Sequence, residues 1–173
     1  MIGNDIVDLK KAKVESNIFR TRYLEKICSQ SEIDLITKSL DPPTAFWRIW
    51  TMKESAYKAF QRRFKTPMLF NPFAFECNLI NSTSGTVEFK NQKVITETVQ
   101  TLNFIYSEVK SSEANRSFFG STCDFLYQIK QEYDLSYVPI FCKTRQGVPF
   151  IKCCSKRLEV SKTHHGSFQV FQY

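Results

Sequence analysis

The chain has 173 residues, 42% hydrophobic and 14% aromatic with sixteen Phe; this suits one domain with a buried core, and no apolar run reaches the ~18 residues of a membrane span. A net charge of +7 and a pI near 9.1 favour polyanionic partners without choosing between nucleic acid, anionic membrane, phosphorylated small molecules and acidic proteins. The first twenty residues lack an apolar core and a small-residue cleavage site, which argues against a signal peptide and makes a cytoplasmic protein the expectation.

In chain order, Ile2 to Leu9 reads as a strand, with Gly3, Asp5 and Val7 on one face and Asn4, Ile6 and Asp8 on the other. Residues 15–28 show helical spacing at positions 19, 23, 24 and 27, and Ser29 to Glu32 opens a short helix over Ile33 to Ser39. Asp41-Pro42-Pro43 ends that helix and caps the next, expected over 44–62 with Phe46, Ile49, Trp50, Ala56, Tyr57 and Phe60 towards the core. From Pro67 the texture becomes strand-rich: 73–77, 86–89, 94–99 and 102–109, with turns at 81–85 and 91–92. A polar loop over 111–117, a strand at 118–123 and a short helix over 125–133 follow. Strands at 138–143, 148–152, 157–161 and 167–172 finish the pattern, with a turn at Gln146-Gly147. Strands and helices do not alternate, so the expected class is α+β: a single domain over 1–173 with a mostly antiparallel sheet on a long helix. The six cysteines form no CxxC pair and read as reduced, mostly buried thiols.

The long helix carries Trp50-Thr51-Met52-Lys53-Glu54-Ser55-Ala56-Tyr57-Lys58. Trp50, Glu54 and Lys58, four apart, project from one face. A carboxylate and an ammonium beside aromatics suit a divalent cation and a phosphorylated ligand. Taken alone, Glu54 and Lys58 read equally well as a solvated helix pair worth roughly 0.2–0.5 kcal/mol. Asp5, on a strand, offers a second carboxylate, whereas Asp8 falls on the opposite strand face and reads as structural.

Three separated segments then line up: Ile2-Gly3-Asn4-Asp5-Ile6-Val7; Trp50-Thr51-x-Lys53-Glu54-Ser55-x-x-Lys58; and Ser161-Lys162-Thr163-His164, preceded by Gly147-Val148-Pro149. Together they resemble the 4′-phosphopantetheinyl transferase superfamily, and the Ser/His segment coming last resembles its short, holo-acyl-carrier-protein-synthase branch. The resemblance implies that family's fold and a reaction. The 4′-phosphopantetheine group of coenzyme A passes to a serine of an apo acyl or peptidyl carrier protein, and 3′,5′-ADP leaves. It implies Mg²⁺ held by Asp5 and Glu54, with Asp5, Glu54 and Lys58 as the catalytic set. It implies ligand contacts from Lys53, Lys58, Thr163 and His164. Departures are Val7, where some two-lobed members carry another acidic ligand, Val148 between Gly and Pro where a basic residue is usual, and His165 after the family's His.

An acidic helical carrier protein is the implied partner, with Arg20, Arg22 and Lys26 as the expected docking face, and the short branch implies a homotrimer; neither membrane nor nucleic acid is an expected partner. Three other readings compete: a metal-dependent nuclease, a basic module stacking nucleic-acid bases on Phe and Tyr, and a degenerate relative that binds coenzyme A without transfer. The four-residue spacing of Glu54 and Lys58 on a helix disfavours the nuclease.

Overall fold

A computed structural model describes residues 1–65, 69–111, 115–153 and 156–173. Strand β1 (Asn4–Asp8) runs directly into α1 (Leu9–Glu15), because the Asp8 carboxylate accepts the Lys11 N–H at 3.1 Å and caps the helix. The helix expected over 15–28 does not form. Ser16 is extended, Asn17 turns the chain by accepting the Phe19 N–H, Arg22 has φ 62°, and only Leu24–Lys26 makes a 3₁₀ turn. Its apolar residues are loop anchors instead: Ile18 and Ile27 are buried while Phe19 stays exposed.

Helix α2 (Gln30–Thr37) starts on a capping box in which Ser29 and Glu32 satisfy each other's backbone N–H. Helix α3 (Pro42–Phe64) starts on Asp41, which accepts the Thr44 N–H at 3.2 Å, with prolines in its first turn. Lys65, in the left-handed region, ends it. Phe46, Ile49, Met52, Ala56, Ala59 and Phe60 form its buried face.

Strands β2 (Glu76–Leu79), β3 (Ser84–Phe89), β4 (Gln92–Gln100) and β5 (Phe104–Val109) join β1 in an antiparallel sheet of order β1-β5-β4-β3-β2. A 3₁₀ turn at Pro72–Ala74 delays β2 relative to the expected 73–77. Then come β6 (Ser117–Phe119), α4 (Thr122–Glu132), β7 (Ile140–Lys143), β8 (Pro149–Cys153), β9 (Lys156–Glu159), β10 (Ser161–His165) and β11 (Phe168–Gln172). They build two further antiparallel sheets, β10-β11-β6 and β7-β8-β9. The architecture is α+β, with antiparallel sheets and one long helix. No helix among the described residues is long and apolar enough to cross a membrane.

One face of the five-stranded sheet packs on α3, where Val87, Val94, Ile105 and Val109 meet the helix's buried side chains. On the other face Ile6 and Tyr106 meet Val170 of β11. A separate apolar cluster joins Phe125 and Ile129 of α4 to Ile151, Val160 and Phe171. Strand β1 is thus buried along its whole length. Its approach to α3 requires glycine next to it: a Cβ on Gly3 would sit 2.2 Å from the Ser55 carbonyl oxygen and 2.6 Å from the Ala59 nitrogen.

As the edge of its sheet, β1 presents backbone donors away from β5. Side chains of β10 accept them: Asn4 N–H on Ser161 Oγ (3.2 Å), Ile6 N–H on Thr163 Oγ1 (3.3 Å) and Asp8 N–H on His165 Nδ1 (2.9 Å). The Asp8 carboxylate also accepts the Ser167 N–H at 3.1 Å, and these backbone donors hold its pKa below the ordinary value. Asp8 is structural, as its strand face suggested. Cys28 and Cys77 are buried free thiols, the first pushed up to about 12 by burial, whereas Cys123 is exposed. The expected texture change at Pro67, part of the loop over 111–117 and the Cys154 thiol lie outside the described residues.

Candidate functional site

The site forms where β1 crosses α3. Strand alternation turns Asp5 towards the helix on the same side as Gly3, and helical spacing sets Glu54 and Lys58 one turn apart. The Lys58 ammonium lies 2.9 Å from Asp5 Oδ1 and 3.6 Å from Glu54 Oε1, and it donates to the Asn4 carbonyl at 2.9 Å. Asp5 is 5% exposed. The side chains of Glu54 and Lys58 are 26% and 17% exposed, so the cluster opens to solvent on their side.

Two carboxylates on one ammonium leave an excess of negative charge. Burial first, and the Asp5 charge second, push the Glu54 carboxyl up to about 7, with Lys58 opposing. The donor set fits a hard divalent cation: two carboxylates offer oxygen ligands, one ammonium leaves negative charge uncompensated, and the solvent-facing side admits water to the remaining positions. No cluster of three or more His, Cys, Asp or Glu suited to a metal occurs among the described residues. A cation here would take two carboxylates from the protein, and its remaining oxygens from ligand and water.

The other residues expected at the site are placed differently. Lys53 is fully buried on another face of α3, paired with Glu32 at 2.7 Å and donating to the Ile27 and Pro72 carbonyls at 2.9 and 3.0 Å. It does not reach the cluster, and the expectation that it holds an outer phosphate is corrected: adjacent helix residues are ~100° apart, and Lys53 faces the core that Glu54 avoids. Thr163 does reach the cluster, donating to Asp5 Oδ1 at 2.8 Å, but it is 4% exposed. His164 points to the opposite side of β10 and is exposed. Trp50 packs with Trp47, Phe46 and Phe70 in an aromatic group against the core.

A separate basic cleft lies further along α3. Arg62, one turn beyond Lys58, donates to the Lys58 carbonyl at 2.8 Å and the Val160 carbonyl at 2.6 Å. Burial lowers its pKa to about 10. Its Nε is buried without a hydrogen-bond partner. Arg62, Lys65 and Arg157, with Glu159 the one acidic group among its lining residues, line a cleft of about 440 Å³ that reaches Gln146 and Val148. In sequence Arg62 is only part of a basic run; its i+4 relation to Lys58 was the available signal. Arg157 has no sequence signal, because the third sheet brings it there.

Residues 1–116 match the family model of the 4′-phosphopantetheinyl transferase superfamily. The matched segment contains Asp5, Glu54 and Lys58, and the segment with Thr163 and His164 lies beyond it. No curated protein matches the chain.

Proposed function

The chain belongs to the 4′-phosphopantetheinyl transferase superfamily, and on that premise we propose that it transfers 4′-phosphopantetheine from coenzyme A to a serine of an apo acyl or peptidyl carrier protein. The observation that carries this reading is the cluster of Asp5, Lys58 and Glu54 where β1 meets α3. Asp5 and Glu54 would hold Mg²⁺. When bound, the cation would neutralise pyrophosphate charge and polarise the phosphorus next to pantetheine. In the reaction the carrier serine oxygen bonds to that phosphorus, the bond to the bridging pyrophosphate oxygen breaks, and 3′,5′-ADP departs. Glu54 takes the serine proton. Lys58 binds the pyrophosphate and offsets the charge that grows on the departing phosphate.

The nucleotide end of coenzyme A is assigned to the basic cleft, where Arg62, Lys65 and Arg157 replace the cation missing at Val148. His164, exposed at the end of β10, is a further phosphate donor in this reading. The carrier protein is assigned to the face after α1. There an apolar cleft of about 470 Å³ is lined by Leu9, Ile18, Phe19, Pro43 and Trp47, with Lys13 among them. Arg20, Arg22 and Lys26 are exposed on the segment that follows, which suits an acidic partner. A trimer of the short-branch kind belongs to the same proposal and is checked by light scattering.

The test is intact-protein mass spectrometry of apo carrier proteins incubated with the enzyme, coenzyme A and Mg²⁺. A phosphopantetheine adduct on the carrier serine, abolished by EDTA and by Glu54→Ala, is the expected result. Coenzyme A binding without any adduct on fatty-acid, polyketide and peptide-synthesis carriers would overturn the transferase assignment.

A further inference from the structure

The Thr163 hydroxyl has one proton and two accepting lone pairs. In this fold one lone pair takes the Ile6 N–H at 3.3 Å, and the proton goes to Asp5 Oδ1 at 2.8 Å. Asp5 Oδ1 also accepts from Lys58 at 2.9 Å. The hydroxyl is buried, and it is anchored on both sides by its strand: Ser161 and His165, two residues either way, bond Asn4 and Asp8 of the same facing strand. To donate to a ligand phosphate, Thr163 would have to release the carboxylate and turn out of a buried strand interface. His164, its neighbour, is the one that faces solvent.

We propose that Thr163 is a positioning residue for Asp5, not a ligand-binding one. Its hydroxyl fixes the rotation of the carboxylate, so that Oδ1 is committed to Thr163 and Lys58 and Oδ2 is the oxygen left to meet a cation. This role rests on the transferase reading above. It predicts that the effect of Thr163 appears in cation affinity and not in the affinity for the nucleotide.

The test uses the full chain and two titrations, neither of which measures turnover. Mn²⁺ affinity is read by electron paramagnetic resonance at saturating coenzyme A, and coenzyme A affinity is read by calorimetry in EDTA. Thr163→Val keeps the shape and removes the hydroxyl. It should weaken Mn²⁺ by about tenfold or more, as loss of an outer partner of a metal ligand does. Coenzyme A affinity in EDTA should stay within about twofold of wild type. Thr163→Ser keeps the proton and should restore Mn²⁺ affinity, which a purely structural role for the methyl group would not. If Thr163→Val is poorly folded, Thr163→Ser and Thr163→Ala are compared instead, and the same split is required between them. Loss of coenzyme A affinity in EDTA on removing the hydroxyl, or unchanged Mn²⁺ affinity, overturns the proposal. Wild-type protein that binds neither Mn²⁺ nor coenzyme A overturns the transferase reading itself, and this role with it.

Discussion

Glu54→Gln should make the protein more stable above neutral pH while abolishing transfer. The Glu54 carboxyl rises from 4.5 to about 7 on folding, chiefly because burial disfavours its charged form. A raised folded-state value means that the native state holds a proton the unfolded chain has already released. Stability from this group is therefore complete below about pH 4.5 and is lost as pH rises to 7. At ~1.4 kcal/mol per unit, the ionised carboxylate costs at most about 3.5 kcal/mol above pH 7, a ceiling because part of the side chain meets solvent and Lys58 shares the charge. Gln keeps the shape without the charge. At ~2–4 °C per kcal/mol for a chain of this size, the variant should melt at most about 7–14 °C higher at pH 8. At pH 4.5 the two should differ little. The assay is calorimetric melting across pH 4.5–8.5 in EDTA without coenzyme A. A variant that melts lower than wild type at pH 8, or by a pH-independent margin, would refute the electrostatic account of the site.

Gly3→Ala should destabilise by about 1–3 kcal/mol, because its methyl group must displace the backbone of α3, and urea unfolding reads this directly. The same change should lower transfer by moving Asp5 away from Lys58. Lys53→Met should cost about 3–5 kcal/mol by stranding the Glu32 carboxylate, and pairing it with Glu32→Leu should recover much of the loss in denaturant midpoint. Arg62→Gln should weaken coenzyme A in calorimetry by about tenfold, the loss of a charged hydrogen bond, with the carrier protein's KM unchanged. Arg20→Glu should do the reverse, raising the carrier's KM and leaving coenzyme A affinity alone, with the wild-type advantage shrinking in salt.

The juxtaposition of Asp5, Glu54 and Lys58 was legible because each part is local. Asp41-Pro42-Pro43 announces α3, period 3.6 stacks Glu54 and Lys58, and period 2 turns Asp5 to the side of Gly3 that must touch the helix. The role of Lys53 was not, since its partner Glu32 is reached only through tertiary packing of α2 on α3. Strand β10 was hidden for a related reason. Its inward residues, Ser161, Thr163 and His165, are polar because they satisfy the backbone of β1, so no apolar alternation marks it. Helix α1 was missed because its cap, Asp8, also ends a strand, and the apolar spacing just after it belongs to loop residues that dock separately on the core.

The side chains of β10 that close the edge of β1 impose an order of events on the growing polypeptide. Asp5 and Thr163 stand 158 positions apart, so the carboxylate emerges from the ribosome long before the hydroxyl that donates to it. Until the last strands arrive, β1 carries a row of unclaimed N–H groups, an invitation to pair with a neighbouring nascent chain. Such distant pairings form slowly. Synthesis therefore passes through an interval in which the long helix and most of its sheet exist with the edge of β1 uncovered. A stalled or clipped product ending before residue 160 would keep that edge open to association.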